Sequence, residues 1–360
     1  MHGYSFDHIV CNGRRVYIDH ITSSVEQARD GFESSLFHFM RQWLAGEQEF
    51  KISTSGSTGP PKTIFIARHQ MIESAQRTAE ALALVAGQTA LVCLHTDFIA
   101  GKMMIVRCLT TDLKIIAVTP CSNPFAHISV TIDFAALVPL QVHDLLRENN
   151  GHAFAKTRTV IIGGGALDLA DVQRLKHLPC RCYATYGMTE TVSHVALRRL
   201  HGHDVSDAYF ALPGISFSTD ARNCLIIHLD ARDNTVTTND VVELIDDKHF
   251  LWLGRWDNVI NTGGLKVIPE KLEATIGRVL WDGGYRLRFF LAGIPDARLG
   301  TKIVMVVEGM YSSHNFSALT SLLKSTLQSH EVPKAYFVSA AFVLTETGKV
   351  DRNATLRLAN

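Results

Sequence analysis

Apolar positions recur with two periods along this chain, and the places where the period changes outline its architecture. From Thr63 to Thr185, short apolar runs alternate with stretches whose apolar residues fall three and four apart. The runs predict strands at Thr63–Ala67, Ala90–Leu94, Leu113–Val118, Thr159–Ile162 and Arg181–Thr185. The wider spacing predicts helices at Gln70–Val85, Ile99–Leu109, Phe134–Arg147 and Leu169–His177. Alternation of this kind implies parallel sheets covered by helices. The first fifty or so residues give weak strand signals and one helix, Ser34–Leu44, ending at Gly46. Beyond Phe210 the rhythm shortens to strands at Cys224–Leu229, Val241–Ile245 and Phe250–Leu253. From Gly254 a last segment predicts the helices Pro269–Leu280 and Ser317–Leu327 among strands at Arg286–Ala292, Ile303–Val307 and Tyr336–Val338. The expected class is α/β. A large domain of parallel sheets covered by helices occupies residues 1–253, and a small α+β domain occupies residues 254–360.

Composition narrows the class without naming a chemistry. Of 360 residues, 46% are hydrophobic and 19% charged, as in a globular enzyme. Lys+Arg and Asp+Glu each number 35, which argues against a broad nucleic-acid surface or a polybasic membrane anchor. Met1 to Val10 holds Asp7 and two histidines where a signal peptide needs an apolar core. The longest apolar stretch, Ala81 to Leu94, is interrupted by Gly87, Gln88 and Thr89 and is too short to span a bilayer. Seven cysteines without C-x-x-C pairs fit a reducing cytoplasm and neither a disulfide framework nor a zinc site. The paired histidines His201 and His203 read as solvated loop residues, so no protein-held metal is expected.

Chemistry enters at Ser53 to Lys62, S-T-S-G-S-T-G-P-P-K. Glycines let a backbone approach an anion, hydroxyls and bare N–H groups donate to phosphate oxygens, and a lysine adds a point charge. The spacing is not that of the Walker loop, and a Ser/Thr/Gly run alone is commonly a flexible linker. The order of residues resembles the phosphate loop of the acyl-adenylate-forming enzymes, the acyl-CoA ligase family. That resemblance implies ATP contacts from Thr54, Ser55, Gly56, Ser57, Thr58, Gly59 and Lys62.

Further segments match the same family in order. Ile162-Gly163-Gly164-Gly165-Ala166 is similar to its adenine-side glycine turn, which implies nucleotide contacts from Gly164, Gly165 and Ala166. Tyr186-Gly187-Met188-Thr189-Glu190-Thr191 resembles a more specific motif. The resemblance lays the Tyr186 ring and Gly187 against adenine, sets Thr189 at the α-phosphate, and gives Glu190 to the magnesium that arrives with ATP. In isolation the same six residues read equally as the capped start of a helix. Thr237-Thr238-Asn239-Asp240 stands where the family carries T-G-D, so Asp240 is the implied ribose acceptor. Asn239 replaces the glycine there and is expected to supply the same left-handed backbone. Gly254-Arg255-Trp256-Asp257 resembles the hinge, with Arg255 reaching ribose or phosphate and Asp257 as the pivot. Gly264 falls where the family passes the pantetheine of CoA. Thr345 to Arg352 is similar to the C-terminal T-x-x-G-K-x-x-R motif, which makes Lys349 the implied adenylation lysine.

The acid is the open question. Only 52 residues precede the phosphate loop, where relatives carry many more. Together with Ile99-Ala100-Gly101-Lys102-Met103-Met104, this resembles the compact o-succinylbenzoate–CoA ligases of menaquinone biosynthesis. A lysine facing the acyl pocket suits a dicarboxylic acid, since one carboxylate reacts and the other needs a cation. His95 and Lys102 are the substrate candidates, with Arg107 on the next helical turn an alternative. The bland reading keeps His95 as a packed residue and lets Lys102 snorkel to solvent. The expected partners are a small carboxylic acid, ATP and CoA, with no nucleic acid and no membrane. Loading of another acid onto a carrier protein, or nucleotide binding without catalysis, would preserve most of the same motifs.

Overall fold

The structure, a computed structural model, describes residues 4–21, 27–53, 63–147, 151–203, 205–229, 234–310, 313–345 and 350–359. By contact the chain groups into two compact units that interleave in sequence. The first is Met1–Ala166, Arg174–Ser216 and His228–Val236; the second is Leu167–Gln173, Phe217–Ile227 and Thr237–Asn360.

Chain order begins β1 (His8–Cys11), β2 (Arg14–Tyr17), α1 (Gly31–Leu44), β3 (Glu49–Ser53), β4 (Thr63–Ala67), α2 (Arg68–Leu82), β5 (Thr89–Val92) and α3 (Ile99–Thr111). It continues with β6 (Lys114–Ala117), β7 (Ile132–Leu137), α4 (Pro139–Arg147), α5 (Gly151–Ala155), β8 (Thr157–Ile162), α6 (Leu169–Leu175), β9 (Arg181–Gly187), β10 (His194–Arg199) and β11 (Ala208–Ala211). In the first unit the strands lie in the order β11-β10-β9-β8-β7-β5-β6-β1-β2. The run from β9 to β1 is parallel, while β10 and β11 beyond β9, and β2 beyond β1, pair antiparallel. β5, β7 and β8 are apolar on both faces, as strands covered by helices on both sides must be.

The segment Phe134–Arg147, expected to be one helix, is instead β7 followed by α4. A run such as Ile132-Asp-Phe-Ala-Ala-Leu137 carries no period of its own. Its pairing with β5 and β8 makes it a strand, and Pro139, with its preset φ, opens the helix. The sequence pattern does not predict β10 and β11 either.

Two devices hold the β3–β4 hairpin against the body of this unit. Asp30 caps α1 by accepting from the Glu33 N–H at 2.8 Å, and Glu33 itself is buried, accepting from Arg14 at 2.8 Å and Asn12 at 3.0 Å. The apolar face of α1 then stacks Trp43 on Phe50 of β3, and the Arg68 guanidinium lies 3.9 Å from the Trp43 ring centre. β3 and β4 pair from Glu49–Ala67 to Ser53–Thr63, which sets Ser53 and Thr63, the residues that flank the expected phosphate loop, side by side.

The second unit contains β12 (Ser216–Thr219), β13 (Cys224–His228), β14 (Thr235–Leu244) and β15 (His249–Arg255), adjacent in that order. It continues with the hairpin β16 (Ile260–Thr262) and β17 (Leu265–Val267), then α7 (Pro269–Asp282), β18 (Phe289–Asp296), β19 (Gly300–Glu308), α8 (Ser313–Lys324), β20 (Ala335–Ser339) and α9 (Arg352–Ala359). β19 is central, antiparallel to β18 and parallel to β20. Its period-two pattern sends Ile303, Met305 and Val307 into a core with Leu272, Ile276 and Leu319, and Val306 to the opposite face beside Phe290 and Phe342. The α/β class with a smaller α+β region toward the C-terminus is as expected. Among the described residues no helix is long and apolar enough to cross a membrane.

Candidate active site

β9 delivers the Tyr186 motif to its end and stops there. Gly187 is required by contact: a Cβ would strike the backbone of Ser193 and His194. The chain then makes one short 3-10 turn, Thr189–Thr191, in place of the longer helix that Thr189 could have capped. Thr191 staples this turn, its Oγ1 accepting from Met188 N–H at 3.0 Å and donating to the Ser193 carbonyl at 2.7 Å. Val192 leaves the turn at φ 66, ψ −49. A β-branched residue there stores about 1–3 kcal/mol of strain, as turns at functional sites commonly do. Thr189 is half-buried and Glu190 exposed, so a hydroxyl and a hard carboxylate oxygen stand together at the end of a parallel strand. The Tyr186 ring, half-buried, meets Tyr209 at 5.7 Å. In the same unit the glycine turn follows β8. Gly164 sits at φ 89, and Gly163 has the Thr185 hydroxyl where a Cβ would be. Gly164, Gly165 and Ala166 are exposed.

Below the Tyr186 turn lies the charge that the sequence offers only as an alternative to Lys102. Arg107 of α3 is only 2% exposed, yet its partners are neutral. Its Nε donates to Thr78 Oγ1 at 3.3 Å, and Nη2 donates to Ser193 Oγ at 2.5 Å and His194 Nδ1 at 3.3 Å. Among the described residues no carboxylate pairs with it. Burial pushes its pKa down to about 10, so it remains a cation at neutral pH. An uncompensated buried charge is costly, and such costs concentrate at functional sites. His194 is held well below the usual imidazole range, by burial first and then by the Arg107 charge.

The His194 shift has a consequence for stability. A histidine neutral in the folded state but able to protonate near pH 6.5 once unfolded contributes stability that is fully present above that pH. Below it, the unfolded chain gains a proton that the folded chain refuses. Stability should then fall by up to ~1.4 kcal/mol per pH unit. Urea midpoints between about pH 7 and pH 5 should show this slope, and it should flatten in His194→Gln.

Lys102, on another face of α3, looks toward α1. Its Nζ donates to the Thr96 carbonyl and lies 5.3 Å from the Phe39 ring centre. It lines an open cavity of about 320 Å³ with Ser34, Ser35, His38 and Asp97. His95 is exposed and sets its ring edge-on to Phe32 at 6.2 Å. The structure therefore separates Lys102 and His95 from the Arg107 cluster, which sequence spacing alone could not do. Thr78, Ser193 and His194 were not anticipated. The available signal was a run of polar residues, Ser193-His194, directly after the motif and just inside a strand.

In the second unit Asp240 and Arg255 face each other across β14 and β15. Asp240 is buried, with Arg255 Nη1 3.7 Å from its carboxylate, while Arg255 Nη2 reaches Asp257 at 3.0 Å. Asn239 needs no left-handed backbone, contrary to expectation: it lies within extended β14, and the positive-φ residues are elsewhere. Its amide instead donates to both Asp257 oxygens at 3.3 Å. Gly264 stands at φ 84 in the two-residue turn between β16 and β17, with open space around it. Arg352 makes a two-pronged ion pair with Glu273 of α7 at 2.7 and 2.8 Å, anchoring the end of the C-terminal motif. Thr54, Ser55, Gly56, Ser57, Thr58, Gly59, Lys62 and Lys349 lie outside the described residues. His201, expected in solvent, is buried and meets the Cys182 backbone N–H at 3.1 Å.

A glycine turn and an aromatic-hydroxyl-carboxylate turn at the ends of neighbouring parallel strands define a nucleotide-using α/β enzyme. Comparison with known proteins specifies which. The sequence profile of the AMP-binding enzyme family matches residues 50–217. A solved structure of an acyl-CoA synthetase (AMP-forming)/AMP-acid ligase II-like protein from Dyadobacter fermentans is 37% identical. The match covers 94% of this chain and 97% of that one, with a TM-score of 0.62. A probable 2-succinylbenzoate–CoA ligase of Mycobacterium tuberculosis is 27% identical over 331 residues, covering 85% of this chain and 83% of its own. The Bacillus subtilis o-succinylbenzoate coenzyme A synthetase, solved with ATP and magnesium ion, shares the fold at TM-score 0.69 and 18% identity over 85% of this chain and 69% of its own. The chain belongs to the AMP-binding enzyme family, as an AMP-forming acid–thiol ligase.

Proposed function

We propose that the enzyme converts o-succinylbenzoate, ATP and CoA to o-succinylbenzoyl-CoA, AMP and pyrophosphate, a step of menaquinone biosynthesis carried out in the cytoplasm. The observation that carries this reading is Arg107, a buried cation held by neutral groups beside the Tyr186 turn. A dicarboxylic acid supplies the missing counter-charge with one carboxylate while presenting the other for activation. Arg107 is preferred to Lys102 for this role because Lys102 already spends its ammonium on a carbonyl beside α1. The 2-succinylbenzoate–CoA ligases among the similar proteins support the same substrate.

In this reading the phosphate loop, Thr54 to Gly59 with Lys62, wraps the triphosphate. Tyr186 and the glycine turn hold adenine, Asp240 and Arg255 hold the ribose, and Thr189 donates to the α-phosphate. Magnesium, brought with ATP, supplies charge neutralisation, and the exposed carboxylate of Glu190 is a fitting hard ligand for it. The free carboxylate attacks the α-phosphorus, pyrophosphate leaves, and Lys349 steadies the negative charge that develops. Residues 254–360 then turn about Asp257 so that the path past Gly264 admits CoA, whose sulfur displaces AMP. Pyrophosphate release measured across aromatic, aliphatic and dicarboxylic acids, with and without CoA, tests the assignment. We expect o-succinylbenzoate to exceed benzoate, acetate and a fatty acid by about a hundredfold or more in kcat/KM. Strong turnover of a monocarboxylic acid with none of o-succinylbenzoate would remove it.

A further inference from the structure

We infer that His194, backed by Thr78, is a positioning residue that fixes the orientation of the Arg107 guanidinium and thereby sets the preference for a second carboxylate. The substrate part of this inference rests on the function proposed above; the positioning part does not.

Hydrogen-bond bookkeeping fixes the roles of His194 and Thr78, with Ser193 Oγ taking the other Nη2 hydrogen at 2.5 Å. Arg107 has donors only, so His194 Nδ1, 3.3 Å from Nη2, must be the acceptor. A neutral imidazole that accepts at Nδ1 carries its hydrogen on Nε2, and that hydrogen points at Thr78 Oγ1, 3.2 Å away. Thr78 Oγ1 also receives the Arg107 Nε hydrogen at 3.3 Å and passes its own to the Ser74 carbonyl of the same helix at 3.1 Å. The chain of bonds thus ends on α2 backbone, which does not rotate. Both Nε and Nη2 are therefore held at fixed directions, and the plane of the guanidinium is determined by three elements, α2, α3 and the start of β10. Thr78 and His194 are buried, so water is a poor substitute for either bond. The depressed basicity of His194 keeps it an acceptor across the working pH range. With Nε and Nη2 held in this way, Nη1 is the nitrogen left to meet a carboxylate, and it does so at a fixed direction, whereas an unaimed guanidinium offers only charge.

The test uses the full-length enzyme with two readouts. Arginine side-chain 15N NMR reports rotation of the Arg107 guanidinium, with or without any acid. Steady-state kinetics compares o-succinylbenzoate with 3-benzoylpropionate, which lacks the aromatic carboxylate. His194→Phe keeps a ring of similar volume without the acceptor. It should speed guanidinium rotation, raise the KM for o-succinylbenzoate roughly tenfold and leave the KM for ATP unchanged. The preference over 3-benzoylpropionate should shrink by the same factor. His194→Asn, whose Oδ1 takes the place of Nδ1, should restore much of both readouts, and Thr78→Val should weaken them while Thr78→Ser does not. If rotation is unchanged in His194→Phe, or if every KM and kcat falls together, His194 is only packing and the inference is overturned. If rotation responds but the wild-type enzyme never preferred the dicarboxylic acid, the positioning role stands and the proposed substrate falls.

Discussion

Replacing Arg107 with methionine should raise the KM for o-succinylbenzoate by about a hundredfold or more while the folded protein becomes no less stable. The two effects have opposite signs for one reason. In the free enzyme the Arg107 cation is buried among Thr78, Ser193 and His194, none of which carries a compensating charge. Removing a buried ion that has no counter-charge relieves a desolvation penalty of several kcal/mol, which offsets the roughly 1–3 kcal/mol cost of each buried acceptor left without its donor. In the proposed substrate complex the same cation would gain a carboxylate in a dry site, where loss of one partner costs about 3–5 kcal/mol. A residue kept for packing would show the reverse pattern, with thermal stability falling and KM little changed. Arg107→Lys is informative as well. It retains the charge but not the fork, and we expect it to recover only part of the affinity. Thermal denaturation with and without o-succinylbenzoate, run beside initial-rate kinetics, decides between these outcomes. A lower Tm in Arg107→Met with unchanged KM would falsify the assignment of Arg107 to the acid.

The second large effect separates the two half-reactions. Lys349→Ala should lose acyl-AMP synthesis by about a hundredfold to a thousandfold, the usual cost of one charge-stabilising group at a transferring centre. Given chemically made acyl-AMP, the same variant should still form the CoA thioester at near wild-type rate. Gly264→Leu should do the opposite, since a side chain there would obstruct the thiol path in the thioester-forming state. The structure sharpens this second arm. Gly264 is at φ 84, where leucine carries a backbone penalty of roughly 1–2 kcal/mol besides its bulk. Gly264→Asn tolerates that conformation and adds a smaller side chain, so it reports obstruction with less strain. If leucine and asparagine variants lose stability in parallel with thioester formation, the turn is structural. If Lys349→Ala and Gly264→Leu fail the same half-reaction equally, the rotation of residues 254–360 about Asp257 is wrong for this enzyme.

Much of this protein is determined by local sequence. The alternation of apolar runs with three-and-four spacing is sufficient for β4, β5, β8, β9, α2, α3, α7, α8 and β18 to β20, because each carries its own period and its own boundary residues. The motif at Tyr186 is legible for a similar reason. Gly187 and Thr191 are required by contacts made within eight residues of Tyr186, so that stretch carries most of its own geometry. Other features depend on partners distant in the chain. Ile132–Leu137 is apolar throughout and becomes a strand only because β5 and β8 offer it ladders on both sides. Asn239, read as a stand-in for glycine, proves to be an extended residue whose amide meets Asp257, 18 positions later. Lys102 and Arg107 share one helix, and spacing alone makes either a partner for an acid. Which of the two lies beneath the Tyr186 turn depends on how α3 packs between α1 on one side and α2 with β10 on the other. Helical periodicity places five residues about 140° apart around the axis, so the choice of cation is a property of tertiary packing and not of the segment that carries both.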